Sequence, residues 1–460
     1  MYNVDFSKKD THYHFIGIGG ISMSGLAELL LSEGYPVSGS DMTESGLTEM
    51  LSGKGAKISF PQAAENITDD IDVVIFTAAI HEDNPELMEV RRRGIPALTR
   101  AEFLGQIMKQ YRIPVAVAGT HGKTTTTSML SEILLKAGTD PTLSIGGVLP
   151  SIGGNFRVGA KDYFVTEACE YTNSFLSFFP KISIILNVDA DHLDFFKDID
   201  DIRNSFKRFA KLLPKDGTLI INGETPGIAT VTAGLECEII RFGMDESFDY
   251  YPSDISYNGA ACAEFTLHHG DTALGRVSLK VPGGHNIGNA CAAAAAAVKM
   301  GIEPEYIIKA LSEYHGTDRR FQHKGEMNGV TIIDDYAHHP TEIRATLEAA
   351  RHCDHKTLWC VFQPHTYTRT KALLKEFAEA LTLADKVVLA KIYPARETDD
   401  LGISSGDLAR EIRELGHDAC YFDSFENIEK FLKENCIHGD LLITMGAGDV
   451  YKIGESLLKE

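Results

Sequence analysis

Residues 115–127 read VAVAGTHGKTTTT, and this stretch decides what the rest of the chain must be. A β-branched apolar run holding Val115 and Val117 breaks into Gly119-Thr120-His121-Gly122-Lys123-Thr124, followed by Thr125 and the helix-like TTSMLSEILLKAG. Strand, glycine turn, lysine, hydroxyl and helix together make the layout that binds a nucleotide polyphosphate. The glycines let backbone N–H groups approach the phosphates, and the helix N-terminus adds favourable partial charge. Lys123 supplies a point charge for the β- and γ-phosphates, and the Thr124 hydroxyl can ligate Mg²⁺. Val117 stands where the full eight-residue Walker pattern has its first glycine. A plain strand–turn–helix is the competing reading, and Gly-Lys-Thr directly after an apolar strand weighs against it.

Upstream lies HYHFIGIGGISMSGLAELLLSEGYPVSGSD, residues 12–41. It reads as a strand, the turn Gly17-Ile18-Gly19-Gly20, a helix with Leu26, Leu29 and Leu30 on its apolar face, a stop at Gly34 and a second strand ending near Asp41. Such a βαβ unit suits a dinucleotide or a sugar nucleotide. The alternation runs on to residue 108, with a boundary near Tyr111-Arg112-Ile113-Pro114. Downstream, DYFVTEA (162–168) and KISIILNVDADHLDFF (181–196) read as strands whose polar ends carry Glu167 and Asn187, Asp189, Asp191 and His192. Residues 238–280 suggest a meander, and residues 282–301 a loop followed by an Ala-rich helix. From His315 onward the strand-then-helix alternation resumes. The expected fold is α/β in three domains: Rossmann-like over 1–111, a central P-loop ATPase-like unit over 112–315, and Rossmann-like again over 316–460.

Composition narrows the class. Lys and Arg total 44 against 65 Asp and Glu, a net charge of −21 that argues against a nucleic-acid binder. No apolar run approaches the ~18 residues of a membrane span, and the start MYNVDFSKKD lacks a signal-peptide core, so no membrane insertion is expected. Eight cysteines without CxxC spacing read as reduced thiols in a cytoplasm. Cys169 and Cys360 read as packing residues.

Several clusters invite chemistry. Glu167, at a strand end after a phosphate loop, can hold the Mg²⁺ that bridges nucleotide phosphates; a solvated loop carboxylate is the alternative. His192 is either a satisfied core histidine or a ligand to a second metal. Asp334-Asp335-Tyr336-Ala337-His338-His339-Pro340 carries more polar groups than a helix cap needs, which favours an active-site edge. Arg319-Arg320 could reach a γ-phosphate across a domain cleft, with an ordinary pair of surface arginines as the alternative. His365-Thr366-Tyr367-Thr368-Arg369 could bind a carboxylate through Arg369.

In order, GIGGISMSGLA, AGTHGKTTTT, TEACEYTNSFL, NVDADHLDFF, GGHNIGNACAAAAA, DDYAHHPTEI and FQPHTYTRT resemble the Mur ligases of peptidoglycan synthesis, over nearly the full chain. The GIGGxxMSGLA turn points to the alanine-adding branch. The resemblance implies ATP-dependent ligation of L-alanine to UDP-N-acetylmuramate through an acyl phosphate, by a cytoplasmic monomer or homodimer using ATP and Mg²⁺. A muropeptide-recycling ligase that adds a tripeptide is the alternative within the family. By position, the Gly17, Gly19 and Gly20 turn would hold the UDP part, with Ser24, Thr77 and Arg100 nearby. Residues 119–125 would bind ATP, Thr124 and Glu167 one metal, and His192 the second. Asn289 would read the adenine edge, and Arg320 and Asp335 would contact ATP from the third domain. Tyr336, His365 and Arg369 would position alanine, and His338 or His339 could serve as general base.

The chain departs from the family at three places. Thr366 replaces a frequent arginine, leaving Arg369 and Lys371 for the amino-acid carboxylate. Cys169 replaces a frequent aspartate, and Phe206 falls near the place where other members carry a carbamylated lysine. Two rivals from other classes are an NAD-dependent oxidoreductase, which leaves Lys123 unexplained, and a silent nucleotide-binding regulator, against which Lys123, Glu167 and His192 stand.

Overall fold

A computed structural model describes residues 2–459 apart from 78, 194, 396 and 400. Three sheets follow one another along the chain, and the α/β expectation is borne out. In the first sheet the strand order is Lys57–Ser59, Val37–Ser40, Tyr13–Ile16, Val73–Phe76, Ala97–Thr99, all parallel. The order reverses beside Tyr13–Ile16, so Gly17 and Thr77 leave adjacent strands at the point where open α/β sheets form their crevice. A Cβ on Gly17 would sit 2.8 Å from Cγ2 of Thr77, and its φ of 83° is a second reason for glycine there.

The second sheet has ten strands. From edge to edge they are Thr272–Pro282, Cys262–His269, Tyr250–Tyr257, Glu238–Phe242, Thr218–Asn222, Ile182–Ile185, Ile113–Ala118, Tyr163–Glu167, Thr142–Leu149 and Gly154–Arg157. The middle is parallel, while antiparallel hairpins close the Thr272–Pro282 end and Gly154–Arg157 the other. Helices Lys123–Lys136 and His285–Lys299 pack on each other and on this sheet. Ala292–Ala297 are all fully buried, so the alanine run is close packing rather than low complexity. The meander expected over 238–280 is the parallel strand Glu238–Phe242 followed by these hairpins.

The third sheet runs Gln322–Met327, Val330–Asp335, Leu441–Met445, Leu358–Phe362, Lys386–Leu389, Ala419–Tyr421, with only the first pair antiparallel. Pro340–Arg351, started by Pro340 and capped by His339, brings its N-terminus back toward the second sheet.

The cores are not equally separate. One apolar cluster runs unbroken from Tyr13, Phe15 and Phe103 of the first unit through Met108 and Tyr111 to Phe164, Phe175 and Phe209 of the second. Tyr111 belongs to both sides: its ring packs on Phe164 and its hydroxyl donates to Thr142 at 3.0 Å. Backbone approaches are closest here too, since a Cβ on Gly105 would lie 1.9 Å from the Ser177 carbonyl oxygen. The third sheet has its own two clusters, one to each face. Among the described residues no helix is long and apolar enough to cross a membrane, and all eight cysteines are unpaired.

Candidate active site

Strand Ile113–Ala118 ends in a loop that only glycine can make at two points. Gly119 has φ 142° and Gly122 φ 82°. A Cβ on Gly119 would press within 2.9 Å of Leu186, and one on Gly122 within 2.6 Å of the Asn289 amide oxygen. Asn187 braces the loop, accepting from the His121 N–H at 2.8 Å and donating to the His121 carbonyl at 3.1 Å. The Thr120 hydroxyl accepts from the Asp189 N–H at 2.9 Å. Helix Lys123–Lys136 then begins with no side-chain cap and no acidic residue in its first turn, which leaves its positive end uncompensated.

Lys123 turns away from solvent. Its ammonium donates to the carbonyls of Gly119 at 2.5 Å and Thr120 at 3.1 Å, and to Glu170 at 3.0 Å. Burial opposes its charge, but the Glu170 carboxylate outweighs it and keeps the ammonium protonated well into the alkaline range. Glu170 is a partner of Lys123 that the sequence reading missed. The signal was there, since a lysine buried at a strand end needs a counter-charge and TEACEY offers one beyond Glu167.

Glu167 ends strand Tyr163–Glu167 and accepts from the Gly146 N–H at 2.5 Å. Gly146 and Gly147 thread between this carboxylate and Thr124: Cβ atoms there would meet Glu167 at 2.6 Å and Thr124 at 3.3 Å. A hydroxyl at Thr124 and carboxylates at Glu167 and Glu170 form an all-oxygen set, which fits Mg²⁺. From the third unit, Nη2 of Arg320 donates to the Thr124 hydroxyl at 3.3 Å.

Two cavities open at the strand ends. The first, about 720 Å³, lies between the second and third units and is lined by His121, Gly122, Thr125, Asn289, Arg320 and Asp335 among others. Asp335 accepts from the Phe321 and Ala337 N–H groups, and burial pushes its carboxyl up to about 6 against the pull of Arg320. Asn289 lines the wall, but both ends of its amide are engaged, by Thr126 at 3.2 Å and Asn286 at 2.9 Å. His121 faces Glu342 at 3.1 Å and Asp189 at 3.4 Å. Burial opposes its charge, and the two carboxylates prevail, raising it to about 9.

The second cavity, about 1070 Å³, is where all three units meet. Thr77 and Arg100 come from the first, Tyr171 and His192 from the second, His365 and Arg369 from the third. His192 has φ 54° and stacks on Tyr171 with ring centres 4.5 Å apart. Burial lowers its pKa against the attraction of Asp191, so the ring is neutral near pH 7. Arg369 donates from Nε at 3.2 Å and Nη2 at 3.1 Å to Oδ1 of Asp191, and from Nη1 to His365 at 3.2 Å. The guanidinium assigned to an amino-acid carboxylate is thus held by a carboxylate of the chain itself.

Other predicted residues fall outside these walls. Ser24 is buried, and its hydroxyl donates to the Ile21 carbonyl within the helix. The glycine turn has spent its amides: Gly17 on Ser40, Gly19 on Asp41 at 2.7 Å and Gly20 on Gly17. Lys371 reaches the Leu401 carbonyl on the surface rather than the cavity. Tyr336 packs under the guanidinium groups of Arg319 and Arg320 at 4.9 and 5.0 Å. His338 stands behind the wall, with Nδ1 at 3.1 Å from the Tyr336 carbonyl, and burial lowers it to about 4. Phe206 is fully buried against Phe175, so that position is core. Thr366 (φ 68°) caps the short helix Tyr367–Ala372 by accepting from the Arg369 N–H. Glu397, which the sequence reading did not single out, accepts from the Tyr367 and Thr368 N–H groups at 2.6 and 3.0 Å.

Residues 12–112 match the profile of the Mur ligase family catalytic domain, 117–297 the Mur ligase middle domain and 319–448 the Mur ligase glutamate ligase domain. The UDP-N-acetylmuramate–L-alanine ligases of Lachnospira eligens and Agathobacter rectalis are 60% and 59% identical, each aligned over the whole of both chains. Among solved structures, UDP-N-acetylmuramate-alanine ligase MurC from Thermotoga maritima superposes with a TM-score of 0.80 at 29% identity, covering 97% of this chain and 98% of that one. A murein peptide ligase from Psychrobacter arcticus gives a TM-score of 0.71 at 27% identity, covering 98% of each.

Proposed function

The chain belongs to the Mur ligase family, and we propose that it joins L-alanine to UDP-N-acetylmuramate, converting ATP to ADP and phosphate, in the synthesis of peptidoglycan precursors. Arg320 carries this reading. A guanidinium of the third unit touches the phosphate-loop hydroxyl of Thr124, while Arg369 of the same unit fronts the second cavity. Nucleotide and amino acid are thereby served by one unit facing two adjoining chambers.

A carboxylate resists attack by an amine because its charge repels the nucleophile and oxide is a poor leaving group. Transfer of the γ-phosphoryl of ATP to the lactyl carboxylate gives an acyl phosphate and ADP. The alanine amine then adds to the acyl carbon, and the tetrahedral intermediate collapses with loss of inorganic phosphate. Placement and charge neutralisation do most of this work. Lys123 leaves Glu170 for the phosphates, and Arg320 approaches the γ-phosphate from the opposite side. Thr124, Glu167 and Glu170 would hold Mg²⁺, which neutralises phosphate charge when bound. His192 presents a neutral ring to a second cation. The amino-acid carboxylate replaces Asp191 on Arg369. His338 stands behind the wall with its pKa lowered by burial, so the proton of the amine passes to water or to the departing phosphate.

The units divide at residues 111/112 and 315/316, and the enzyme works in the cytoplasm, where both of its nucleotides are made. The test is phosphate release from ATP with UDP-N-acetylmuramate and, in turn, alanine, glycine, serine and the recycled tripeptide. Release dependent on the sugar nucleotide and on alanine supports the reading. Release with the tripeptide but not alanine replaces it.

A further inference from the structure

Three side chains from separate segments converge beside the first cavity, whose wall includes His121 and Asp189. His121 comes from the phosphate loop, Asp189 from the segment after strand Ile182–Ile185, and His339 from the turn before helix Pro340–Arg351. One donor atom of each lies within 4.8 Å of the other two. The phosphoryl transfer above calls for oxygen ligands around Thr124 and routes no step through these three side chains.

Nε2 of His121 is buried and makes no hydrogen bond, although Oδ2 of Asp189 is only 3.4 Å away. At neutral pH this nitrogen carries a proton that faces Asp189, and a bound metal ion would displace that proton. The other nitrogen of each imidazole is oriented by an acceptor. Nδ1 of His121 is 3.1 Å from Glu342, and Nε2 of His339 is 3.2 Å from the Ala190 carbonyl. A carboxylate or a carbonyl behind the ring is how metal-ligating histidines are held, and it fixes their tautomers. With the His121 proton displaced, Nε2 of His121 and Nδ1 of His339 each present a lone pair to the ion. Nδ1 of His339 receives one long bond, from the Thr341 N–H at 3.3 Å, which a metal would displace.

We propose that His121, Asp189 and His339 bind a divalent transition metal of the zinc or cobalt kind, at a site distinct from the Mg²⁺ ligands. Two imidazoles and one carboxylate suit such ions and suit Mg²⁺ poorly. Three protein ligands leave a fourth position for water or a ligand oxygen from the cavity. The bound ion ties the phosphate loop of the second unit to the helix start of the third.

Titration of the full-length protein with Co²⁺ in excess Mg²⁺ tests this, because Mg²⁺ fills the oxygen sites and Co²⁺ reports nitrogen ligation in its visible spectrum. One saturable equivalent, displaced by Zn²⁺, is expected. His339→Asn keeps an acceptor at the helix cap, and Asp189→Asn changes a half-exposed side chain. Each should weaken Co²⁺ binding by about tenfold or more; if one fails to fold, the other decides. No saturable uptake, or uptake of unchanged affinity in the folded variants, overturns the site.

Discussion

The Lys123 ammonium lies 3.0 Å from the Glu170 carboxylate, and neither group has much contact with water. The lysine proposed to meet phosphate is therefore parked on an internal partner. Removing one member of such a pair leaves a buried charge uncompensated, which costs about 3–5 kcal/mol. Glu170→Gln should lower the unfolding free energy by that order, read in urea titrations, and Lys123→Met added to it should recover part of the loss. Equal stability of the single and double variants would remove the counter-ion role.

Lys123→Ala should abolish useful turnover. Losing one fixed donor to the transferred phosphoryl group costs on the order of 3 kcal/mol, about a hundredfold or more in kcat. Circular dichroism should stay folded, and near-normal phosphate release would count against the assignment.

Arg369→Lys keeps the charge and loses the planar fork that spans Asp191 and His365. KM for alanine should rise about tenfold, a loss of roughly 1.4 kcal/mol, with KM for ATP nearly unchanged. Steady-state kinetics with each substrate varied will separate the two.

His121 is raised from 6.5 to about 9 in the folded protein, burial opposing and Asp189 and Glu342 driving the shift. Between those values the folded state keeps a proton that the unfolded chain has released. Its contribution to stability is complete below about pH 6.5 and is lost as pH rises through 9. Thermal unfolding temperatures should fall across that window, and His121→Gln should flatten the fall.

Gly105 lies inside helix Arg100–Met108, where alanine would ordinarily stabilise by about 1 kcal/mol. Its added Cβ would lie 1.9 Å from the Ser177 carbonyl. Gly105→Ala should therefore destabilise by about 1–3 kcal/mol, read as a lower denaturation midpoint.

The phosphate loop is legible in the sequence because its chemistry is local. Gly119 and Gly122 adopt conformations only glycine tolerates, and Lys123 follows directly. Strand ends are legible for the same reason, which is why His192 and Asp335 line cavities and Glu167 ends its strand beside Gly146. Partnerships are not. Glu342 meets His121 across more than two hundred positions and Arg369 meets Asp191 across nearly as many, and no periodicity encodes that. The turn at Gly17 misleads for a subtler reason. Its pattern promises free amides, yet Asp41 and Ser40 have claimed them.

The unbroken core through Tyr111 has a mechanical consequence. The seam between the first two units is dry, so opening it would expose hydrocarbon and strip close backbone contacts. The seam to the third is wet, made of Arg320, Arg369, His121 and Glu342 reaching across to partners that water can replace. The N-terminal two-thirds should thus move as one rigid anvil, with the C-terminal part as the hammer. Salt also screens the Lys161–Glu33 pair at the edge of the first seam, but the apolar core there persists, so salt should loosen the stroke more than the anvil.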